Sequence, residues 1–272
     1  MAEELNPEKL WRALLTGTHP LQVRYRRLYR LIPSDPRCYL CDAPFGNPGA
    51  SVMRLLGRTQ SNLNPRFCNI CDLFAKSHPG GAEIELAMLF ADVRGSTALA
   101  EQMSALDFSQ LINRFYVAAT DVLTRSNALI DRLVGDQIIG LYLPGFVGPA
   151  YVRAAVQAAR ELLEATGHTD PEGPWLPVGI GVHTGTAFVG AVGTEGSVTN
   201  ITALGDSVNI AARLSSQARP GEILVSEAAS DASGLETGGL EMRELELKGR
   251  NEYVRVRVLP VAPASENSRS VS

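Results

Sequence analysis

The stretch Ile84–Thr97, with the sequence IELAMLFADVRGST, decides the fold of this chain. It begins with a run of apolar residues from Leu86 to Ala91, which is typical of a strand buried on both faces. The run ends at Asp92, and a glycine and two hydroxyl residues then lead into helix-compatible sequence. A carboxylate at the end of a buried strand can hold a cation, and the free N–H groups of a first helical turn can hold phosphate oxygens. Taken alone, Asp92 could equally cap a helix.

Length and composition limit the classes of protein to consider. The chain has 272 residues, 45% hydrophobic and 20% charged, which suits one large domain or a medium domain with a smaller one. The net charge of −4 argues against nucleic-acid binding by bulk electrostatics. No window is apolar for long enough to cross a bilayer, and the first residues lack a secretory signal. We therefore expect a cytoplasmic protein with no membrane span and no nucleic-acid partner.

Four cysteines form two C-x₂-C pairs, Cys38 with Cys41 and Cys68 with Cys71, in a segment rich in Pro, Gly and Asn. Each pair can place two sulfurs on one ion, and two pairs complete a tetrahedron. A turn follows the first pair and helix-compatible sequence follows the second, which resembles a treble-clef zinc module. We expect one structural Zn²⁺ per chain. A [4Fe–4S] cluster held by the same four thiolates is the alternative, and free or paired cysteines are the third.

The rest of the pattern alternates between helices and strands. The pattern of residues 6–31 predicts one or two basic helices. Their arginines are expected to form a solvated positive patch, with a partner or phosphate contact as the alternative. Gly80-Gly81 suggests a hinge. Further along we expect helices at about 103–126, 149–166 and 208–217, a hairpin at 128–143, and strands at 178–183, after Gly185, and at 200–203, 222–225 and 253–259. The turn of the hairpin is Gly135-Asp136, a pair that is also an ordinary hairpin-turn signal.

These patterns predict four regions. Residues 1–35 form an N-terminal helical segment, and residues 36–80 form a metal-binding module with four cysteine ligands. Residues 81–260 form the main domain. Residues 261–272 are rich in Ser and Asn, and we expect this tail to be disordered.

Four motifs together resemble the successive signatures of class III nucleotidyl cyclase catalytic domains. They are FADVRGST (90–97), LVGDQIIGLY (133–142), GIGVHTG (179–185) with VG beyond it, and ALGDSVNIAARL (203–214). The resemblance covers about residues 83–259. It implies an α+β, ferredoxin-like domain with a mixed, mostly antiparallel sheet flanked by helices, here preceded by helices and the small four-cysteine module. It also implies a head-to-tail homodimer that converts a nucleoside triphosphate into a 3′,5′-cyclic monophosphate and pyrophosphate.

The resemblance implies a metal and phosphate site. Asp92 and Asp136 lie where the family binds two Mg²⁺ or Mn²⁺ ions, and Val93 lies where it adds a backbone carbonyl ligand. Several converging oxygens suit Mg²⁺, which gives up its water reluctantly. The backbone amides that would hold the β- and γ-phosphates belong to Gly95, Ser96 and Thr97.

The resemblance also implies residues that bind the nucleoside and stabilise the transition state. Asn209 orients the ribose, and Arg213, four residues further along the same helix face, stabilises charge on the α-phosphate. Lys248 falls near a lysine that the family uses on the terminal phosphates. The position that is commonly Lys in adenylate cyclases and Glu in guanylate cyclases is Arg132 here, and its partner is Thr202. Because adenine N1 is an acceptor, a cationic donor at Arg132 favours ATP.

We therefore expect a homodimeric adenylate cyclase that acts on ATP, with active sites shared between the two subunits. One subunit would supply the two aspartates, and the other would supply Arg132, Thr202, Asn209 and Arg213. The alternatives are a guanylate cyclase and a non-catalytic module that binds nucleotide for regulation. The cysteine segment directly precedes the catalytic domain, which suggests that it regulates the enzyme in response to an upstream regulator that the sequence does not identify.

Overall fold

The computed structural model describes residues 6–62, 65–192, 200–246 and 253–260. The chain divides into two compact units. The first unit contains residues 1–85, 143–149 and 186–204, and the second contains residues 86–142, 150–185 and 205–272. Among the described residues, no helix is both long enough and apolar enough to span a bilayer.

The elements alternate along the chain much as the periodicity predicts. The helices are α1 (Pro7–Thr16), α2 (Pro20–Tyr29), α3 (Gly49–Leu55), α4 (Asn69–Ser77), α5 (Ser96–Gln102), α6 (Ala105–Arg125), α7 (Pro144–Val147), α8 (Tyr151–Ala165), α9 (Asp206–Gln217) and α10 (Glu227–Ser233). The strands are β1 (Gly80–Val93), β2 (Leu129–Val134), β3 (Gln137–Tyr142), β4 (Val178–Val192), β5 (Asn200–Leu204), β6 (Glu222–Ser226), β7 (Glu241–Glu246) and β8 (Tyr253–Pro260).

The second unit is built on a mixed, mostly antiparallel sheet. Its strands follow the order β2-β3-β1-β4-β6-β8-β7. The pairs β1–β3, β2–β3, β6–β8 and β7–β8 are antiparallel, whereas β4–β6 is parallel. The predicted α+β class with a mostly antiparallel sheet is therefore confirmed.

Strand β1 is the buried strand that the sequence predicts. From Leu86 to Ala91 every residue is at most 2% exposed, because both faces of the strand are covered. The strand also extends upstream to Gly80, where a hinge was expected. A Cβ at Gly81 would lie 2.6 Å from the Cα of Gly190, so this glycine permits close approach of two strands within the first unit. The structure thus places the start of a strand at the predicted hinge.

Helix α6 covers the hairpin that carries the second candidate carboxylate. Ser104 caps the helix by accepting a hydrogen bond from the Asp107 amide at 3.1 Å. The buried face of the helix consists of Ile112, Phe115, Ala119, Val122 and Leu123. Gly140 in β3 makes room for this face, since a Cβ there would lie 2.9 Å from Leu123 Cδ2. The hairpin β2–β3 is thereby held with its turn at residues 135–136.

Some elements differ from the sequence prediction. Strand β4 runs unbroken through Gly185, where two strands were expected. A Cβ at Gly185 would lie 2.6 Å from Ser207 Oγ, so the glycine marks a close contact and not a break. Strand β7 was not predicted, because its charged sequence EMRELE is typical of a solvated edge rather than of a core strand. The predicted disordered tail, 261–272, lies outside the described residues.

Candidate active site and metal centre

The ends of β1 and of the β2–β3 hairpin bring two aspartates together. The register of β1 and β3 pairs Asp92 with Gln137, which places the preceding turn residue, Asp136, beside the end of β1. The Val93 amide donates to the Asp136 carbonyl at 3.1 Å. Burial raises the pKa of the Asp92 carboxyl; the Arg94 guanidinium opposes this shift, and the nearby Asp136 carboxylate adds to it. The two carboxylates therefore lie within electrostatic reach of each other.

This pair of carboxylates fits a divalent metal ion. Both groups offer hard oxygen ligands, and their mutual repulsion favours a cation between them. The Asp92 side chain is 19% exposed, so most of it is buried and a part of it faces solvent. The Val93 carbonyl remains a predicted additional ligand.

Arg94 contacts this site in a way that the motif did not predict. Its guanidinium forms an ion pair with the Asp92 carboxylate, and its Nη1 donates to the Ser216 carbonyl at 2.9 Å. Its backbone amide donates to the Pro177 carbonyl at 2.8 Å. The residue thus connects the turn after β1 to the last turn of α9.

The predicted phosphate-binding residues begin helix α5. Gly95 is the N-cap residue and has φ 71°, a left-handed conformation that glycine adopts without strain. Ser96 is half-buried and Thr97 is exposed. Both line a cleft of about 770 Å³ that Asp136 and Tyr116 also line. The cleft therefore brings one candidate metal ligand and two candidate phosphate-binding residues to the same space.

Tyr116 of α6 supports the hairpin turn. Its hydroxyl donates to the Gly135 carbonyl at 2.6 Å. Tyr116 lines the same cleft as Asp136. Burial raises the pKa of Tyr116, and the Asp136 carboxylate raises it further. Sequence reasoning missed this residue, because nothing in its local pattern distinguishes it from other half-buried residues of an amphipathic helix.

Asn209 and Arg213 lie on the outer side of α9. The opposite side of the helix is buried through Ile210, Ala211 and Leu214. Asn209 is exposed and Arg213 is half-buried. Within the parts of the chain that the structure describes, neither side chain has a hydrogen-bond or ion-pair partner, and so neither is bonded to the two aspartates. Both polar groups are therefore free to meet a ligand.

The remaining predicted substrate residues are described only in part. Arg132 lies in β2, and its side chain is outside the described part of the structure. Thr202 lies in β5 opposite Gly190 and is 4% exposed. Lys248 lies outside the described residues.

The four cysteines converge in the first unit. Their sulfur atoms all lie within 4.8 Å of one another, and the Sγ atoms of Cys41 and Cys68 are 3.8 Å apart. A tetrahedral ion with Zn–S bonds of about 2.3 Å would place its sulfurs about 3.8 Å apart. Cys68 is the N-cap of α4, and its amide donates to Cys38 Sγ at 3.3 Å. The donor set and its spacing fit a single thiophilic metal ion.

Arg58 covers the cysteine cluster and was not predicted. Its Nη1 lies 3.3 Å from Cys68 Sγ and 3.6 Å from Cys41 Sγ. The guanidinium also stacks over Tyr25 and Tyr29 of α2, at 5.3 and 5.6 Å from the ring centroids. Burial lowers the pKa of Arg58, but the neighbouring cysteine thiolates more than offset this and raise it. The cation thus balances part of the negative charge of the thiolates.

Arg26 of α2 also contacts the cysteine segment. Its Nε donates to the Leu40 carbonyl at 3.2 Å, and its other nitrogens donate to the carbonyls of Tyr39 and Gly145. The ring of Tyr39 stacks on Phe146 with centroids 5.5 Å apart. Burial lowers the pKa of Arg26. This arginine is therefore a structural residue of the first unit and does not belong to the predicted solvated patch.

Comparison with known proteins gives matches in sequence. Residues 82–258 match the family model of the adenylate and guanylate cyclase catalytic domain. The chain is 27% identical over 180 residues to the adenylate cyclase of Anabaena cylindrica, covering 63% of this chain and 36% of that protein. It is 31% identical over 185 residues to an uncharacterised protein of Mycobacterium tuberculosis, covering 66% of this chain and 34% of that protein. The match thus spans about a third of the length of each relative.

Two solved structures have a similar fold. The guanylyl cyclase Cya2 superposes with a TM-score of 0.60 and 26% identity, over 70% of this chain and 98% of that one. The adenylyl cyclase CyaB from P. aeruginosa superposes with a TM-score of 0.56 and 25% identity, over 66% of this chain and 95% of that one. These similarities confirm the fold that the four motifs predict.

Proposed function

Because the chain belongs to the family of class III adenylate and guanylate cyclase catalytic domains, we propose that it is a homodimeric adenylate cyclase that converts ATP into 3′,5′-cyclic AMP and pyrophosphate. The observation that carries this proposal is the convergence of Asp92 with Asp136, which lines the same cleft as Ser96 and Thr97. The two acids are far apart in sequence, and the register of β1 and β3 brings them together.

In this proposal, Asp92 and Asp136 hold two Mg²⁺ or Mn²⁺ ions, with the Val93 carbonyl as a further ligand. The ions favour ionisation of the ribose 3′-hydroxyl and neutralise charge on the phosphates. The amides of residues 95–97 bind the β- and γ-phosphates, since the αL turn at Gly95 leaves the first amides of α5 unpaired. Lys248 remains a proposed ligand of the terminal phosphates.

Asn209 and Arg213 orient the ribose and stabilise the transition state. The planar guanidinium of Arg213 can donate two hydrogen bonds to the oxygens of the α-phosphate as charge develops there. Neither side chain has a partner within the described parts of its own chain, which supports a role in binding ligand. Since neither forms a hydrogen bond or ion pair with the two aspartates within the described residues, we propose that a second subunit supplies Asn209 and Arg213 to each site.

ATP is the proposed substrate because of Arg132 and Thr202. A guanidinium donor suits the N1 acceptor of adenine, and the Thr202 hydroxyl can accept from the adenine amino group. GTP is the alternative, because Arg132 could instead reach the O6 and N7 acceptors of guanine. The similarity to the guanylyl cyclase Cya2 supports retaining GTP as the alternative substrate.

The test is turnover of ATP and GTP in parallel with Mn²⁺. We expect cyclic AMP to be the main product, and a clear preference for GTP would overturn the choice of base. Absence of both cyclic nucleotides would favour a non-catalytic regulatory module. A mixed dimer of Asp92→Ala and Arg213→Ala chains should recover about one working site, because each chain supplies what the other lacks. Failure to recover activity would contradict the shared site.

For the cysteine cluster we propose one Zn²⁺ per chain. A [4Fe–4S] cubane places iron and sulfide atoms between its cysteines, so the sulfurs would be farther apart than the 4.8 Å limit found here. Metal analysis and the absorption spectrum of protein purified without oxygen test this proposal. We expect one zinc and no colour; a brown protein containing iron would overturn it. We further propose that this segment regulates the enzyme.

A further inference from the structure

Among the described residues, Arg94 is the one cation that forms an ion pair with a candidate metal ligand, Asp92. The side chains of Asp92 and Arg94 are 19% and 18% exposed, so water screens their ion pair only partly. A second charged group that acts on Asp92 is the carboxylate of Asp136. Asp92 therefore pairs with a tethered cation and lies near a second carboxylate, at the place where a divalent ion is proposed to bind.

We propose that Arg94 is a built-in competitor of the divalent metal ion: it pairs with Asp92 in the metal-free protein and has to be displaced when the ion binds. The inference rests on the proposed function for the identity of the metal site. A guanidinium and a metal ion both need the lone pairs of the Asp92 carboxylate, so each lowers the occupancy of the other.

Arg94 has a second partner that can keep it in place after displacement. Its Nη1 donates to the Ser216 carbonyl, one of the carbonyls that the last turn of α9 leaves without a helical partner. A cation at a helix C-terminus is also favoured by the helix dipole. Displacement therefore breaks the ion pair with Asp92 without expelling the arginine into water. The same contact joins the metal-binding turn to the helix that carries Asn209 and Arg213.

Removal of the arginine leaves two neighbouring carboxylates without the cation that pairs with Asp92. Their repulsion then adds to the attraction for a divalent ion, so binding should become tighter. A partly exposed ion pair of this kind corresponds to a gain in affinity of about five-fold. A purely structural role for Arg94 predicts the opposite, because loosening the turn after β1 would misplace Asp92 and weaken binding.

The experiment measures Mn²⁺ binding to the nucleotide-free full chain by electron paramagnetic resonance, with the free ion as the signal. Arg94→Ala should bind Mn²⁺ about five-fold more tightly than the unmodified protein. Arg125→Ala, which removes an exposed arginine paired with Asp121 on α6, is the matched control and should leave the affinity unchanged. In the Asp92→Asn background, Arg94→Ala should give no gain. Equal or weaker binding by Arg94→Ala would overturn the proposal.

Arg94→Gln covers the case in which the alanine variant does not fold. Glutamine keeps a polar side chain that can donate to the Asp92 carbonyl, as the Arg94 Nε does, but it carries no charge. This variant should therefore also bind Mn²⁺ more tightly; unchanged or weaker binding would again overturn the proposal. Cyclic nucleotide production is measured separately. Tighter Mn²⁺ binding without any cyclic product would sustain the role of Arg94 and refute the proposed enzyme, so the two failures are distinguishable.

Discussion

The protein holds two groups of candidate metal ligands that differ in almost every physical respect. The four cysteines come from the short span 38–71, offer soft sulfur ligands, and are buried except for the half-buried Cys71. Asp92 and Asp136 come from a strand end and a hairpin turn and offer hard oxygen ligands, and Asp136 lines a cleft. Four thiolates complete the coordination of one ion, whereas two carboxylates leave positions open. A fully coordinated metal ion suits a structural role, and an ion with open coordination positions suits catalysis.

Each group has an arginine beside it, and the two arginines act differently. Arg58 donates to sulfurs that keep spare lone pairs and net negative charge after binding an ion, so it can stay when the metal is bound. Arg94 pairs with the carboxylate oxygens that the metal itself would use. The two arginines therefore have opposite roles: Arg58 stabilises the thiolates that bind the metal, and Arg94 competes with the metal for the carboxylate.

The sharpest test of this contrast is Asp136→Asn. Removal of one carboxylate should lower cyclic nucleotide production by about 1,000-fold or more, because the metal ions supply several kcal/mol of charge stabilisation in the transition state. Thermal unfolding should change little, since the lost charge repelled Asp92. Asp121→Asn on the exposed face of α6 is the control. An active Asp136→Asn enzyme would show that the carboxylates are not the catalytic centre.

The second test is Cys68→Ser, at the cysteine centre. We expect loss of the bound metal and a decrease of about 4 kcal/mol or more in the free energy of unfolding of this segment, because metal binding contributes directly to its folding. Metal content and thermal unfolding measure the two effects. Val52→Ser, at an exposed site in α3, is the control. Retention of full stability after metal loss would contradict a structural role.

The third test is Arg58→Gln, which removes the charge beside the thiolates. The metal should remain bound but with about ten-fold lower affinity, as is common when a group that hydrogen-bonds a ligand is lost. Transfer of the metal to a coloured chelator measures this change. Arg54→Gln, an exposed arginine on α3, should have no effect. Equal affinities in both variants would mean that Arg58 serves only to pack against Tyr25 and Tyr29.

The smallest expected effect is that of Tyr116→Phe. Loss of its hydrogen bond to the Gly135 carbonyl removes about 1 kcal/mol of support from the turn that carries Asp136. The Mn²⁺ concentration for half-maximal turnover should rise about five-fold. Tyr253→Phe, at an exposed site, is the control. If the thermal midpoint falls and the Mn²⁺ dependence does not change, the hydroxyl stabilises the fold without positioning Asp136.

The parts of the fold that depend on local sequence could be predicted. The apolar run of β1, the Asn6-Pro7 start of α1 and the turn at Gly135-Asp136 each depend on a few consecutive residues. The cysteine spacing likewise indicated a cluster, which the structure brings together. Strand β7 could not be predicted, because its pairing with β8 and not its own charged sequence makes it a strand.

Two of the arginine contacts could not be predicted, because one partner of each arginine is remote in sequence. Arg94 contacts Ser216, which lies 122 residues further along the chain, and Arg26 contacts Gly145, which lies 119 residues further along. No local pattern distinguishes these arginines from solvated ones. The proximity of Asp92 and Asp136, in contrast, was predicted from the family resemblance. The register of β1 and β3 supplies its physical cause.

The contacts of α7 have a practical consequence for anyone who shortens this protein. Gly145 lies so close to α1 that a Cβ there would be 2.6 Å from the Gly17 nitrogen, and Phe146 stacks on Tyr39. Expression of residues 81–260 alone would remove α1 and Tyr39, which contact residues 143–149, and would expose the Phe146 ring to water. Poor yield or aggregation of such a fragment would then result from the loss of these contacts within the chain. Recombinant expression should therefore begin with a chain that retains α1 and the cysteine segment.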